Sequence, residues 1–287
     1  MKKIIIILSI LFVTTPAFSF DFFNSSQIEI KSVLRKYNKA LATHNIEKIK
    51  TFYAKNYKSM DGFNLGELEQ MLEKTYSAYE NIKYKTKINS INATSDWALV
   101  QMSDKTTAKI FPTEIKELKK EKMGKLEGKS VYNLYLKKEN NEWKIVCDDI
   151  LMEETSLKYG LANKLNMELI TPIRVQSGSE YDLSLKIDKP KDIMALASIS
   201  REEIVYPPED YQEKFRKIPE AGELERVVKA NNKNLDEYAV ASIGLTKVSI
   251  NEEQTKAKIE VLGMAYLMKR VNMDRTRKNG EMLVENK

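Results

Sequence analysis

The sequence predicts an α+β N-terminal half, in which helices lead into an antiparallel sheet, followed by an all-β half. Three observations carry this. Apolar residues recur at three- and four-residue spacings as far as Tyr79, then switch to alternation or short apolar runs from Ile82 onward. Beyond residue 167, strand-length apolar segments are separated by turns at Ser177-Gly178, Pro190, Pro207-Pro208 and Ala221-Gly222, the texture of a β-sandwich. With 42% hydrophobic and 31% charged content, 287 residues suffice for two ordinary cores.

The elements follow in order. Over residues 27–42, Ile28, Ile30, Val33, Leu34, Tyr37 and Leu41 form an apolar stripe, with Asn24, Ser25 and Ser26 ahead as caps. After the Thr43-His44-Asn45 turn, Ile46, Ile49, Phe52 and Tyr53 make a short helix ending near Ala54, and residues 65–79 make a third. Segments 82–93, 97–108, 130–137 and 143–151 read as an antiparallel meander. Between the second and third, residues 109–129 carry seven lysines and four glutamates, a solvated hairpin arm or short helix. Residues 153–164 are charged and read as a helical linker.

Further strands are expected at 169–175, 181–187, 193–205, 224–230, 238–250 and 256–268. Two of them are alike, Ala195-Leu196-Ala197-Ser198-Ile199-Ser200 and Ala239-Val240-Ala241-Ser242-Ile243-Gly244, as equivalent central strands would be. Tyr206, Pro207, Pro208, Tyr211 and Phe215 form an aromatic crossover, either a binding surface or a cover over a sheet edge. The domain plan is therefore 25–157, a linker at 158–167, a β-sandwich at 168–270 and a polar, frayed tail at 271–287.

Lys2 and Lys3 precede an apolar run from Ile4 to Val13, Pro16 breaks it, and Ala17-Phe18-Ser19 offers small residues to a signal peptidase. Residues 1–19 thus read as a bacterial signal peptide. The expected destination is periplasmic or extracellular. Phe20, Phe22 and Phe23 lengthen the apolar stretch, so an uncleaved anchor is the alternative. The single cysteine excludes an intramolecular disulfide, and with one histidine the common zinc sites are excluded too. A formal charge of +6, spread over many residues of both signs, does not indicate nucleic acid. No phosphate loop or dinucleotide fingerprint is present, so no cofactor is expected.

Helices followed by a meander that closes on Asn140-Asn141-Glu142-Trp143-Lys144-Ile145, with His44-Asn45-Ile46 and Phe52-Tyr53-Ala54 before it, resemble the nuclear-transport-factor-two-like fold. The resemblance covers residues 25–157. It implies a cone, helices plus a curved antiparallel sheet, around a largely apolar pocket. Two positions are similar to the ketosteroid-isomerase branch: Tyr37, eight residues before Asn45, falls where the branch has an oxyanion-hole tyrosine, and Asp61, sixteen after it, where it has its general base. A carboxylate in such a pocket can take a proton beside a carbonyl while a phenol holds the enolate oxygen. Residues 131–136 lack the branch's second oxyanion acid, and Tyr132 is the nearest substitute. Tyr132 and Trp97 are the candidate ligand contacts.

Other residues invite plainer readings. Asp61-Gly62 is also a turn signal. His44 belongs to a helix end. Cys147 alternates with Trp143 and Ile145 as a small buried hydrophobe. Asp148 and Asp149 point to opposite faces of a strand and so do not make a metal site. The expected function is an exported, noncatalytic binding protein with an apolar pocket and a docking sandwich. Its partners would be a small apolar ligand or an envelope protein, with a homodimer through the N-terminal sheet. The alternatives are an exported isomerase or cyclase using Asp61 and Tyr37, and a membrane-tethered envelope scaffold.

Overall fold

A computed structural model describes residues 17–79, 81–110, 124–208, 212–250 and 257–274, with side chains from residue 25. The expected signal segment before Ala17, most of the charged arm (111–123), Tyr211 and the tail beyond Asp274 lie outside the described residues.

The first helix, α1 (Ala17–Ala42), starts earlier than the sequence suggests, so Asn24, Ser25 and Ser26 are not its caps. Ser26 instead joins the buried stripe Ile30, Leu34, Tyr37 and Leu41, four residues below Ile30. The helix ends in a Schellman motif: the His44 and Asn45 amides donate to Leu41 and Ala40 carbonyls (both 3.1 Å), with His44 left-handed at φ 53°. Asn45 then caps α2 (Ile46–Lys50) by accepting from the Lys48 amide at 2.8 Å. Asn64 and Glu67 form a reciprocal capping box on α3 (Leu65–Ala78), a device that stabilises a helix start by about 1 kcal/mol.

Four long strands follow: β1 (Lys83–Ala93), β2 (Trp97–Ile110), β3 (Gly124–Glu139) and β4 (Glu142–Gly160). Residues 153–160, expected as a helical linker, belong to β4, and only Leu161–Lys164 make a 3-10 turn. The physical reason is that this stretch has a partner on each side. Lys125–Ser130 of β3 pair with one edge, and Gly263–Lys269 of the last strand pair with the other. Two ladders satisfy both sets of backbone groups, and Thr155, Leu157 and Tyr159 alternate accordingly.

The C-terminal half adds β5 (Met167–Ile170), β6 (Arg174–Gln176), β7 (Glu180–Ile187), β8 (Met194–Glu203), β9 (Arg216–Lys217), β10 (Glu223–Lys229), β11 (Glu237–Ile250) and β12 (Ala257–Asp274). Pro172 divides the expected strand 169–175 into β5 and β6. The large sheet runs β1-β2-β3-β4-β12-β11-β8-β9, antiparallel throughout that path, with β6 parallel to β12; the second sheet is β10-β7-β5. The two similar segments are direct neighbours near one end of the large sheet, with only the short β9 beyond β8: Ala197 pairs with Ile243, and Ile199 with Ala241. Their alanines and isoleucines pack beneath Leu183 and Leu185 of β7 in one core, while a second core joins α1 to the first four strands.

The residues after Arg270 are not a frayed tail as far as Asp274. Val271 and Met273 are buried, and the Met273 amide donates to Asp236 at 2.7 Å. The crossover after β8 folds back onto α3, where the Tyr206 hydroxyl donates to Gln70 at 3.0 Å and Lys74 lies 4.9 Å above its ring. Phe215 remains half exposed.

Candidate functional site

Register decides which side chains face the helices. On β2 the buried residues Ala98, Val100 and Met102 fix the inward parity, so Asp104 also points in, opposite Ser130 and beside Thr86. Tyr84, across from Thr106, faces the same way. On β4 a bulge intervenes: Leu136 pairs with Ile145, but the next residue, Tyr135, pairs with Cys147. One extra residue exchanges the faces. Cys147 therefore does not share the buried face of Trp143 and Ile145, as its spacing suggests, and Asp148 turns inward opposite Leu134.

The helical side supplies three more hydroxyls. Tyr37 comes from the buried stripe of α1. Tyr53 and Tyr57 come from the connection after α2, which runs beside β4 through bonds from the Ala54 amide to Ile145 (2.9 Å) and the Met60 amide to Asp148 (2.8 Å). The Tyr37 and Tyr53 hydroxyls are 2.9 Å apart. Tyr57 donates a short hydrogen bond to Asp148, and Tyr132 donates to Asp104 at 2.9 Å. The rings of Tyr37, Tyr53 and Tyr57 meet edge to face. Next to them His44 stacks on Tyr76 at 4.3 Å, with Nε2 3.2 Å from the Ile82 carbonyl oxygen.

Burial raises the Asp104 and Asp148 carboxyls above the usual range, against the opposing pull of Thr86 and Tyr132 on the first and of Tyr57 on the second. Burial likewise pushes up the Tyr37, Tyr53, Tyr57 and Tyr132 phenols, and the nearby carboxylates add to it. Tyr53, Tyr132, Asp104 and Asp148 nevertheless keep part of their surface accessible. These groups meet between the helices and the inward face of the sheet. Asp104 Oδ1 is buried there without a hydrogen bond among the described residues, and the Tyr76 hydroxyl faces that of Tyr84.

The expected site residues separate. Tyr37 and Tyr132 belong to this interior. Asp61 is engaged elsewhere: both carboxylate oxygens are held by Arg270 of β12, at 3.0 and 2.5 Å. The carboxylates that act on the Tyr37 phenol are Asp148 and Asp104. Trp97 lies apart, 47% exposed at the start of β2, with Lys137 Nζ 5.4 Å from its ring centroid. Sequence reasoning missed Asp104, Asp148, Tyr53 and Tyr57. The alternation 98-100-102-104 could have found Asp104, whereas the bulge hides Asp148. No described cluster of His, Cys, Asp and Glu could hold a metal ion.

No family model matches the sequence, and no curated protein matches it. Solved structures do. A Bdellovibrio bacteriovorus protein is 20% identical over 44% of this chain and 40% of its own, with a TM-score of 0.35. A protein of the nuclear-transport-factor-two-like family from Streptomyces avermitilis is 12% identical over 44% of this chain and 95% of its own, at 0.36. A SnoaL-like polyketide cyclase from Agrobacterium tumefaciens is 11% identical over 42% and 89%, at 0.29. The similar structures thus include nuclear-transport-factor-two-like and SnoaL-like ones, each matched over 42–44% of this chain, and the C-terminal half is not identified by them.

Proposed function

We propose that this is an exported, noncatalytic binding protein: a cone-shaped N-terminal half holds a small ligand, and an immunoglobulin-like β-sandwich half docks an envelope partner. The observation that carries the reading is the mutual pairing of the interior hydroxyls and carboxylates, Tyr37 with Tyr53, Tyr57 with Asp148 and Tyr132 with Asp104. A catalyst keeps its base aimed at the substrate, and Asp61 is instead engaged by Arg270. Aromatic walls with a few hydroxyl tips suit a ligand with a flat apolar body and one or two polar groups. Export rests on Lys2, Lys3, the run from Ile4 to Val13 and Ala17-Phe18-Ser19. Among the described residues no helix is long and apolar enough to cross a membrane.

Thermal-shift titration with planar carbonyl and hydroxyl compounds tests the binding reading. A ligand should raise the melting temperature, less so in Tyr37→Phe and Asp104→Asn, while Asp61→Asn leaves its affinity nearly intact. A compound series without any shift removes the proposal. One observation favours a second reading: Asp104 Oδ1 has no hydrogen-bond partner among the described residues and its carboxyl is raised by burial, as a general acid or base requires. Conversion of a compound, lost in Asp104→Asn, would put an isomerase or cyclase in place of the binder. Mass spectrometry of the exported protein should find Phe20 at its N-terminus; an intact signal would indicate the tethered scaffold instead.

A further inference from the structure

The outward face of the N-terminal sheet, opposite the tyrosines, carries lysines at alternate positions of adjacent strands. Lys83, Lys85 and Lys87 of β1 are exposed on it. Lys85 stands opposite Lys105 of β2, and Lys105 opposite Lys129 of β3. Lys109 likewise stands opposite Lys125, and Lys125 opposite Lys158 of β4. Like charges directly across a ladder are destabilising; Glu154, opposite Lys129, and Glu127, paired with Lys125, offset part of this repulsion, and a bound anion would offset the rest.

This face ends in a cleft of about 540 Å³ where the second sheet begins. Lys105, Lys129 and Lys158 line one wall, Met167 and Leu169 of β5 the other, and Leu267 lies between them. Three carboxylates share the cleft. Glu154 is neutralised by Lys129 (2.9 Å) and Lys269 (3.6 Å), and Glu127 by Lys125 (2.7 Å). Glu168 lies on β5 itself. Lys158 donates to the Leu165 carbonyl oxygen at 3.2 Å rather than to a carboxylate; burial, and then Lys125, disfavour its charged form against the pull of Glu127.

The β5 wall adds a second feature. This four-residue strand pairs only with β7, so among the described residues its other edge has no strand partner. An unpaired edge offers main-chain donors and acceptors to an extended peptide. We propose that the cleft binds an extended acidic peptide segment of a partner protein, which adds as a strand to the free edge of β5 and sets its carboxylates against Lys105, Lys129 and Lys158. A flat bilayer does not reach into a recess, a second copy of the same face would set lysine against lysine, and a polysaccharide or nucleic acid cannot complete a strand ladder.

Fluorescence anisotropy of the full chain with a short, labelled, end-blocked peptide of alternating glutamate and valine tests this. Saturable binding is expected, weakening as salt is raised. It should also weaken by about tenfold or more in Lys105→Glu/Lys129→Glu, whose melting temperature checks that the variant is folded. The same peptide N-methylated at alternate residues keeps its charge and loses its ladder donors, and should bind at least as poorly. The proposal is overturned if the alternating peptide does not saturate, or if the methylated peptide or a sulfated polysaccharide binds as tightly. Unchanged affinity in the folded double variant overturns it as well.

Discussion

Arg270 clamps Asp61 with both arms of its guanidinium, across 209 residues of sequence. Its Nη2 also reaches Asp236 at 2.6 Å, and its Nε donates to Asn272 at 2.7 Å. The Arg270 side chain has no exposed surface, and those of Asp61 and Asp236 have 6% and 5%. The pair ties the connection ahead of α3 to the last strand, and so joins the helical half to the C-terminal half at one buried point. Glu153 and Tyr238, hydrogen-bonded at 2.7 Å, lie within range of the same charges.

Removing one partner of such a cluster strands the others. Arg270→Met should take the guanidinium from two buried carboxylates and lower stability by about 3–5 kcal/mol, measured by urea unfolding. Asp61→Asn together with Arg270→Met should cost clearly less than the sum of the two single changes, because the first removes a charge that the second abandons. Additive losses would show that the two side chains do not interact.

The stability contributed by three buried carboxyls should fall as pH climbs out of the acid range. Burial raises the Asp104, Asp148 and Glu153 carboxyls in the folded protein. The unfolded chain therefore releases these protons first, at about pH 4. Between that point and the raised folded values the native state binds more protons than the unfolded one, so the stabilisation present at low pH is lost as pH rises. Asp148→Asn, which keeps an acceptor for Tyr57, should flatten this part of the profile. An unchanged slope would mean that Asp148 ionises normally in the fold.

The buried phenols predict the alkaline limb. Tyr37, Tyr53, Tyr57 and Tyr132 all have their ionisation pushed upward, chiefly by burial. Stability contributed by their neutral forms is intact below the unfolded value of about 10 and is lost as pH rises above it. Phenolate absorbance should thus show exposed tyrosines titrating first, then a step coincident with the loss of far-ultraviolet circular dichroism. A single smooth titration of every tyrosine with the fold intact would contradict the buried network.

Much of this architecture is legible from periodicity, because a buried stripe such as Ile30-Leu34-Tyr37-Leu41, or the alternation of Ala98, Val100 and Met102, is local. The features that escape are those set by partners distant in sequence. Glu153 to Gly160 read as a charged helix until β3 and β12 supply its two ladders. Asp61 fits a catalytic spacing, but nothing near it announces Arg270. The bulge that turns Asp148 inward leaves no mark in the sequence. The basic rows on the outward face arise because lysines on four strands come into register, a coincidence that no single segment displays.

The last expectation concerns the place where β4 leaves the sheet. Gly160 and Gly263 pair directly there. A Cβ on Gly263 would stand 2.7 Å from both the Ala162 nitrogen and the Tyr159 carbonyl oxygen, and 2.8 Å from the Leu161 nitrogen. All three are backbone atoms held by the strand and its 3-10 turn, so none can swing aside as a flexible side chain would. Gly263→Ala should lower stability by about 1–3 kcal/mol through forced backbone movement. Gly244 on the neighbouring strand is the control, since a Cβ there meets nothing within 4 Å. Gly244→Ala should be neutral within about 0.5 kcal/mol, or stabilising through reduced unfolded-chain entropy. Comparing the two melting temperatures isolates close approach from glycine content, and equal effects would mean that the two halves do not meet as tightly at Gly263 as the geometry requires.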